Sequence, residues 1–163
     1  MTDKNAAYDL ERFVAAQEGV YQTALDEMRA GHKEGHWIWY VFPQLVELGR
    51  SEPARRYGIS GIDEAAAYLA HPVLGPRLVE VTEAALASGE RDVPVLMGSA
   101  IDAVKLRSCL TLFSSVPDAP PVFAEALEEL FEGEADTRTR WLLATKGERC
   151  RKAWEPDRGR RGR

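Results

Sequence analysis

Apolar residues in this chain return every three or four positions much more often than every second one. Over residues 8–30 the positions Leu10, Phe13, Val14, Gln17, Val20, Tyr21, Ala24, Leu25 and Met28 keep that spacing, which marks one face of an amphipathic helix. Asp9 is placed to cap it and Gly31 to end it. Further along, "EAAAYLAH" follows Asp63 as its cap and stops at Pro72, a run of strong helix formers closed by a residue that cannot continue it. "VLGPRLVEVTEAALASG" puts Leu74, Leu78, Val81 and Ala85 on one side, tolerates Pro76 in its first turn and closes at Gly89. Ile101, Val104, Lys105, Cys109, Leu112 and Phe113 predict a helix over 99–115 behind a Ser99 cap. "DAPPVFAEALEELFEG" collects Phe123, Leu127, Leu130 and Phe131 and stops at Gly133, and Asp136 caps a last helix, "TRTRWLLATK".

Between the first two of these helices the pattern changes. "QLVELGRSEPARRYGISG" is broken by glycines and a proline and holds at most short turns around 53–57. Only "WIWYVF" alternates, which fits a buried irregular segment as well as a strand. Under alternation Trp37, Trp39 and Val41 face one way and Ile38, Tyr40 and Phe42 the other. The expected architecture is all-α, a single compact multihelical domain of about six helices over 1–146, with a basic, mobile tail over 147–163.

Charge sharpens that division. The segment 146–163 holds eight Lys/Arg against three Asp/Glu, a net of +5, which leaves −10 for the first 145 residues of a chain whose total is −5. Nucleic-acid binders carry positive charge on the folded face that tracks phosphates, so the acidic body does not indicate a nucleic-acid partner. No apolar run is long enough to span a membrane, and the start has acidic residues where a leader would be basic or apolar, so a cytoplasmic location without membrane contact is expected. Cys109 and Cys150 are the only cysteines beside three histidines, poor material for a disulfide framework or a zinc site; no metal or cofactor is expected. The phosphate-loop, dinucleotide, zinc-protease and nucleophile-elbow signatures are all missing.

The polar residues with chemical potential fall into three groups. His36 and Gln44 bracket the aromatic run, where Trp37, Trp39 and Phe42 pack the core on one face and can stack on a planar ligand with the other. Gln44 can read an amide or base edge through its paired donor and acceptor. Glu64 and Tyr68 lie one turn apart on the helix after Asp63. Asp102, Lys105, Ser108 and Thr111 form a polar row at three-residue steps, with Lys105 as an anion contact and Asp102 as its orienting partner. Each has a plain structural alternative: a helix-end histidine, core aromatics, a first-turn glutamate, a surface ion pair.

The elements HWxWYxFPQ, LGxS, AxxYLxHPxLGxRL and KLxSxxTLF, with "FEGEADTRT" downstream, resemble the bacterial family known as domain of unknown function 1810, sometimes labelled "calpastatin". The resemblance runs from about Tyr8 to Leu143 and implies a compact helical protein; the disordered, polar repeats of calpastatin are unlike this chain. The order of an aromatic–proline segment, a Glu-bearing helix, a Lys helix and a late Asp is also similar to the NADAR superfamily, which is linked to NAD and ADP-ribose. That second resemblance implies Glu64 as acid or base and Trp37, Trp39 and Phe42 around a base or ribose. The sequence departs from it in lacking a Lys soon after the Glu helix, where Arg77 is the nearest cation. Two functions follow. One is metal-free cleavage of an ADP-ribosyl or other N-glycosidic nucleotide linkage, with Glu64 and Asp102 as the catalytic carboxylates and Arg77 and Lys105 on the diphosphate. The other is a noncatalytic module binding a nucleotide-like small molecule or a protein.

Overall fold

The computed structural model describes residues 8–154, with side chains described as far as Gly147. Among these residues ten helices follow one another: α1 Glu11–Gln17, α2 Tyr21–Ala30, α3 Ile38–Val41, α4 Glu52–Arg56, α5 Ile62–Ala70, α6 Leu74–Ala87, α7 Val93–Leu96, α8 Ala100–Ser114, α9 Val122–Phe131 and α10 Thr137–Trp154. A 3₁₀ turn occupies Val46–Leu48, and an isolated parallel bridge joins Leu45 to Ile59. The described residues contain no strand, and no helix among them is long and apolar enough to cross a membrane.

Ten helices replace the expected six for local reasons. The predicted helix over 8–30 is two helices, broken where Gly19 takes φ 74°, a left-handed conformation that costs glycine little. The buried residues, Phe13 and Gln17 on α1 and Ala24, Leu25 and Met28 on α2, keep the same helical steps in sequence, so the apolar spacing runs across the break unchanged. Leu10 rather than Asp9 stands at the N-cap of α1, and Gly61 rather than Asp63 at that of α5, leaving Asp63 in a first turn where the helix dipole favours it. "WIWYVF" forms the single helical turn α3, so the two-faced alternation does not hold: Trp37, Ile38, Val41 and Phe42 are buried and Trp39 and Tyr40 half-buried. Ser51 and Asp92 cap α4 and α7, each with a proline in the first turn. Asp136 caps α10 as expected, its carboxylate accepting the Thr139 N–H at 2.8 Å. That helix continues to Trp154; the tail after it lies outside the described residues.

The core gathers around α8. From Ser108 to Phe113 every residue is buried, because α5, α7, α9 and α10 pack around this helix. An aromatic run crosses the interior: Tyr57 meets Phe13 at 6.0 Å, Phe13 meets Tyr68 edge-on at 5.1 Å, Tyr68 meets Phe113 at 5.3 Å and Phe113 meets Phe123 at 5.9 Å, within the range of favourable ring pairs. The turn from α5 to α6 is tight: a Cβ on Gly75 would collide with the Leu69 carbonyl. His71 closes the same turn, its Nδ1 accepting the N–H groups of Val73 at 3.1 Å and Leu74 at 3.3 Å at the start of α6.

Two polar links, one buried and one partly buried, fasten α1 to this core. Gln17, 1% exposed, donates through Nε2 to the Tyr40 carbonyl at 2.7 Å and to the Tyr68 hydroxyl at 3.2 Å, and its Oε1 accepts from Arg77 Nη1 at 3.2 Å. One amide therefore joins α1 to α3, α5 and α6. A turn earlier, Arg12 donates to the carbonyls of Arg56 and Gly58, both at 2.9 Å, and to Glu64 Oε2 at 3.0 Å.

Replacing Gln17 by Leu leaves the Tyr40 carbonyl, the buried Tyr68 hydroxyl and the half-buried Arg77 guanidinium without this partner, at about 1–3 kcal/mol for each group that water cannot reach. Urea denaturation should show Gln17→Leu less stable than wild type by about 3 kcal/mol, with Gln22→Leu on the exposed side of α2 within about 0.5 kcal/mol. Equal losses in the two variants would show that the buried amide carries no special weight.

Candidate functional site

A narrow pocket opens where α3, α4 and α8 meet. It is lined by Ile38, Trp39, Phe42, Gln44, Ala54, Tyr57 and Lys105. The local sequence explains the arrangement. The short turn α3 commits Ile38 and Val41 to the core, which leaves Trp39 half-exposed between them. Pro43 cannot continue the helix, and the chain runs on through Gln44, whose carbonyl accepts the Ile59 N–H at 2.9 Å. Tyr57 closes α4 and packs edge-on against Tyr40 at 5.3 Å. Burial and the neighbouring Tyr57 push the Tyr40 hydroxyl above its ordinary pKa.

A chain of charged and aromatic groups leads to this pocket. Glu27 Oε1 accepts the N–H groups of Glu34 at 2.7 Å and Gly35 at 2.8 Å and the indole N–H of Trp37 at 3.0 Å. Lys33 Nζ lies 5.1 Å from the Trp37 ring and 2.8 Å from Asp102 Oδ2. Asp102 Oδ1 in turn stands 3.6 Å from Lys105 Nζ, which lies 5.4 Å from the Trp39 ring. Burial alone would raise the Glu27 pKa, but the three N–H donors and the Lys33 charge prevail and hold it below the usual 4.5. The indole N–H of Trp39 is buried and has no hydrogen-bond partner among the described residues. The pocket offers about 10 Å³ of water-accessible space, room for roughly one water molecule.

The structure brings together four of the residues the sequence singles out, namely Trp39, Phe42, Gln44 and Lys105, and places the rest elsewhere. Asp102 sits behind the pocket as the partner of Lys105. Trp37 is 1% exposed, a core residue tied to Glu27 rather than a ligand platform. Tyr68 is fully buried between Phe13 and Phe113, where burial pushes its hydroxyl well above the usual pKa of 10.0. His36 is exposed and outside the pocket lining. Arg77 lies over the Tyr21 ring at 4.8 Å and bonds to Gln17. Glu64 is 4% exposed and has both oxygens engaged, Oε2 by Arg12 and Oε1 by the Ser60 N–H at 2.8 Å. It fastens the connector before α5 rather than facing the pocket.

The polar row on α8 does not form one wall. At ~100° per residue, Thr111 lies about 180° round the helix from Asp102. Ser108 and Thr111 are buried and donate back to the carbonyls of Val104 at 3.1 Å and Arg107 at 2.8 Å, and the Thr111 hydroxyl also accepts the Asp136 N–H at 2.8 Å. Ile38, Ala54 and Tyr57 are pocket residues that sequence reasoning missed. Tyr57 sits in an aperiodic connector, and its one signal is an aromatic between a short helix and Gly58.

A family model described as "Protein of unknown function (DUF1810)" matches residues 7–143, and the chain belongs to that family. The crystal structure of a conserved hypothetical protein from Mycobacterium tuberculosis is similar at 47% identity and a TM-score of 0.81, over 85% of this chain and 98% of that one. No curated protein matches. Neither match reaches the NADAR superfamily.

Glu27 gives a pH prediction. Its folded-state pKa is depressed, so its contribution to stability is fully present above the ordinary value of 4.5 and is lost as pH falls below it. Glu27→Gln should therefore melt below wild type at neutral pH, and the gap should narrow as the pH is lowered below 4.5. A gap constant over that range would mean that the carboxylate charge contributes nothing to the Glu34–Trp37 turn.

Proposed function

We propose that this chain, as a member of the DUF1810 family, is a noncatalytic binding module that recognises a planar, nucleotide-like small molecule at the Trp39–Tyr57–Lys105 pocket. The observation that carries this reading is the convergence of Trp39, Phe42, Gln44, Tyr57 and Lys105 on one opening from three separate stretches of chain. Stacking of a base on an aromatic face contributes roughly 1–3 kcal/mol. Gln44 supplies paired donor and acceptor groups for an edge, and Lys105 supplies charge for an anionic substituent. With room for about one water inside, the ring lies across the mouth against Trp39 and Tyr57 and sends a single polar atom inward.

A hydrolytic function would need a carboxylate at the reacting bond. Neither Glu64 nor Asp102 lines the pocket. Glu64 is engaged by Arg12 and Ser60, and Asp102 by Lys33 and Lys105. Binding without turnover is the reading that this geometry favours.

Thermal denaturation with AMP, ADP, ADP-ribose and free nucleobases tests it. At 100 times Kd a ligand should stabilise the protein by about 2.7 kcal/mol. The shift should vanish in Trp39→Ala and Lys105→Met, and chromatography should recover the ligand unchanged. Release of product that Glu64→Gln abolishes would restore the hydrolytic reading, and silence across the panel would remove the nucleotide-like ligand.

A further inference from the structure

A second opening lies along α6 and shares no lining residue with the Trp39 pocket. Leu69 at the end of α5, Pro76 and Val79 on α6 and Pro120 before α9 form its apolar part, and Glu80 and Glu83 stand beside them. The groove offers about 410 Å³, inside the roughly 300–1,000 Å³ of sites that take a small molecule.

Its charge is one-sided. Both glutamates are exposed, and among the described residues neither has an ion-pair partner. The Tyr21 hydroxyl donates to Glu80 Oε1 at 2.5 Å, which orients that carboxylate without neutralising it. Arg77, the neighbouring cation, is turned to Gln17 and to the Tyr21 ring. Glu80 and Glu83 are three positions apart on one helix, so their Cβ atoms lie about 5–6 Å from each other. The net charge of −10 over the first 145 residues adds a long-range attraction for cations. Among the described residues no three His, Cys, Asp or Glu side chains are grouped to hold a metal ion, and a hydrated metal ion gains nothing from an apolar wall. A chain of methylenes does gain, because contact with the wall removes its surface from water. Two positive charges joined by such a chain match both features of the groove.

We infer that the α6 groove binds an aliphatic diamine or polyamine, with ammonium groups on Glu80 and Glu83 and the methylene chain against Leu69, Val79 and Pro120. This site is separate from the Trp39 pocket and does not depend on what that pocket takes.

Proton–nitrogen correlation spectra of the full chain test it, recorded at fixed ionic strength because salt screens such contacts. The probes are butane-1,4-diamine and spermidine, with butylamine, magnesium and tetra-arginine for comparison. The amide signals of residues 77–83 should shift saturably with the diamine and with spermidine, while the indole signals of Trp37 and Trp39 stay in place. Butylamine lacks the second charge and magnesium lacks the apolar chain, so both should bind more weakly. Glu80→Gln and Glu83→Gln should each lower the diamine affinity by about fivefold, the upper end for an exposed ion pair. Glu52→Gln on α4 should leave it unchanged, and unmoved Trp37 and Trp39 signals in the two α6 variants show that the fold persists.

Signals of residues 77–83 that ignore both the diamine and spermidine overturn the assignment. So does a response equalled by butylamine or magnesium, or one undiminished in both α6 variants. A response confined to tetra-arginine also overturns it and marks the groove as a surface for a basic peptide.

Discussion

One buried side-chain amide sets the relation among four helices. Gln17 stands on α1, reaches the backbone of α3 through the Tyr40 carbonyl, meets α5 at the Tyr68 hydroxyl and receives α6 through Arg77. Apolar contacts between helices tolerate sliding, because the hydrophobic effect has no direction. Hydrogen bonds in a low-dielectric interior do not, since each has a narrow range of distance and angle and a costly alternative. The aromatic packing of Phe13, Tyr68 and Phe113 supplies cohesion, and the amide supplies register. Because the Tyr40 carbonyl is held, the single turn of α3 cannot rotate, and Trp39 is kept toward the pocket.

The second organising feature is the sequence of contacts from Glu27 through Trp37, Lys33, Asp102 and Lys105 to Trp39. Anionic, aromatic and cationic groups follow one another along it. Buried ion pairs are weak contributors to stability, because desolvation offsets most of the attraction. Their value here is positional. Lys33 is 6% exposed and acts as a fixed charge behind Asp102, and Asp102 then holds Lys105 near the indole it overlies. A pocket with room for about one water depends on such placement, since a lysine has several rotatable bonds and no preferred direction of its own.

Much of this was legible in the helical spacing. The elements corresponding to α5, α6, α8 and α9 stand where the apolar stripes put them, and Ser99 and Asp136 cap as their types suggest. The break at Gly19 was hidden because the buried residues of α1 and α2 keep one helical spacing in sequence, and α3 because one helical turn is too short to show a period. In the site, the aromatic run and Lys105 were visible as residue types. Glu64 was misleading for a definite reason: its partner Arg12 lies 52 positions earlier, beyond the reach of any local pattern. The one local sign of the hub was a glutamine on an otherwise apolar stripe, which is where a buried polar link betrays itself.

The partners of Gln17 lie 23, 51 and 60 residues further along the chain. Contacts of that sequence separation carry a loop-closure cost that local helix formation does not. During synthesis α1 emerges before these partners, and its polar anchors are complete only after Arg77 has been made, still ahead of α8, α9 and α10, which complete the core. Until then its amphipathic face has no matching surface. The amide that fixes the geometry of the finished protein therefore also delays the anchoring of α1, which waits on α6 rather than on its nearest neighbours in sequence.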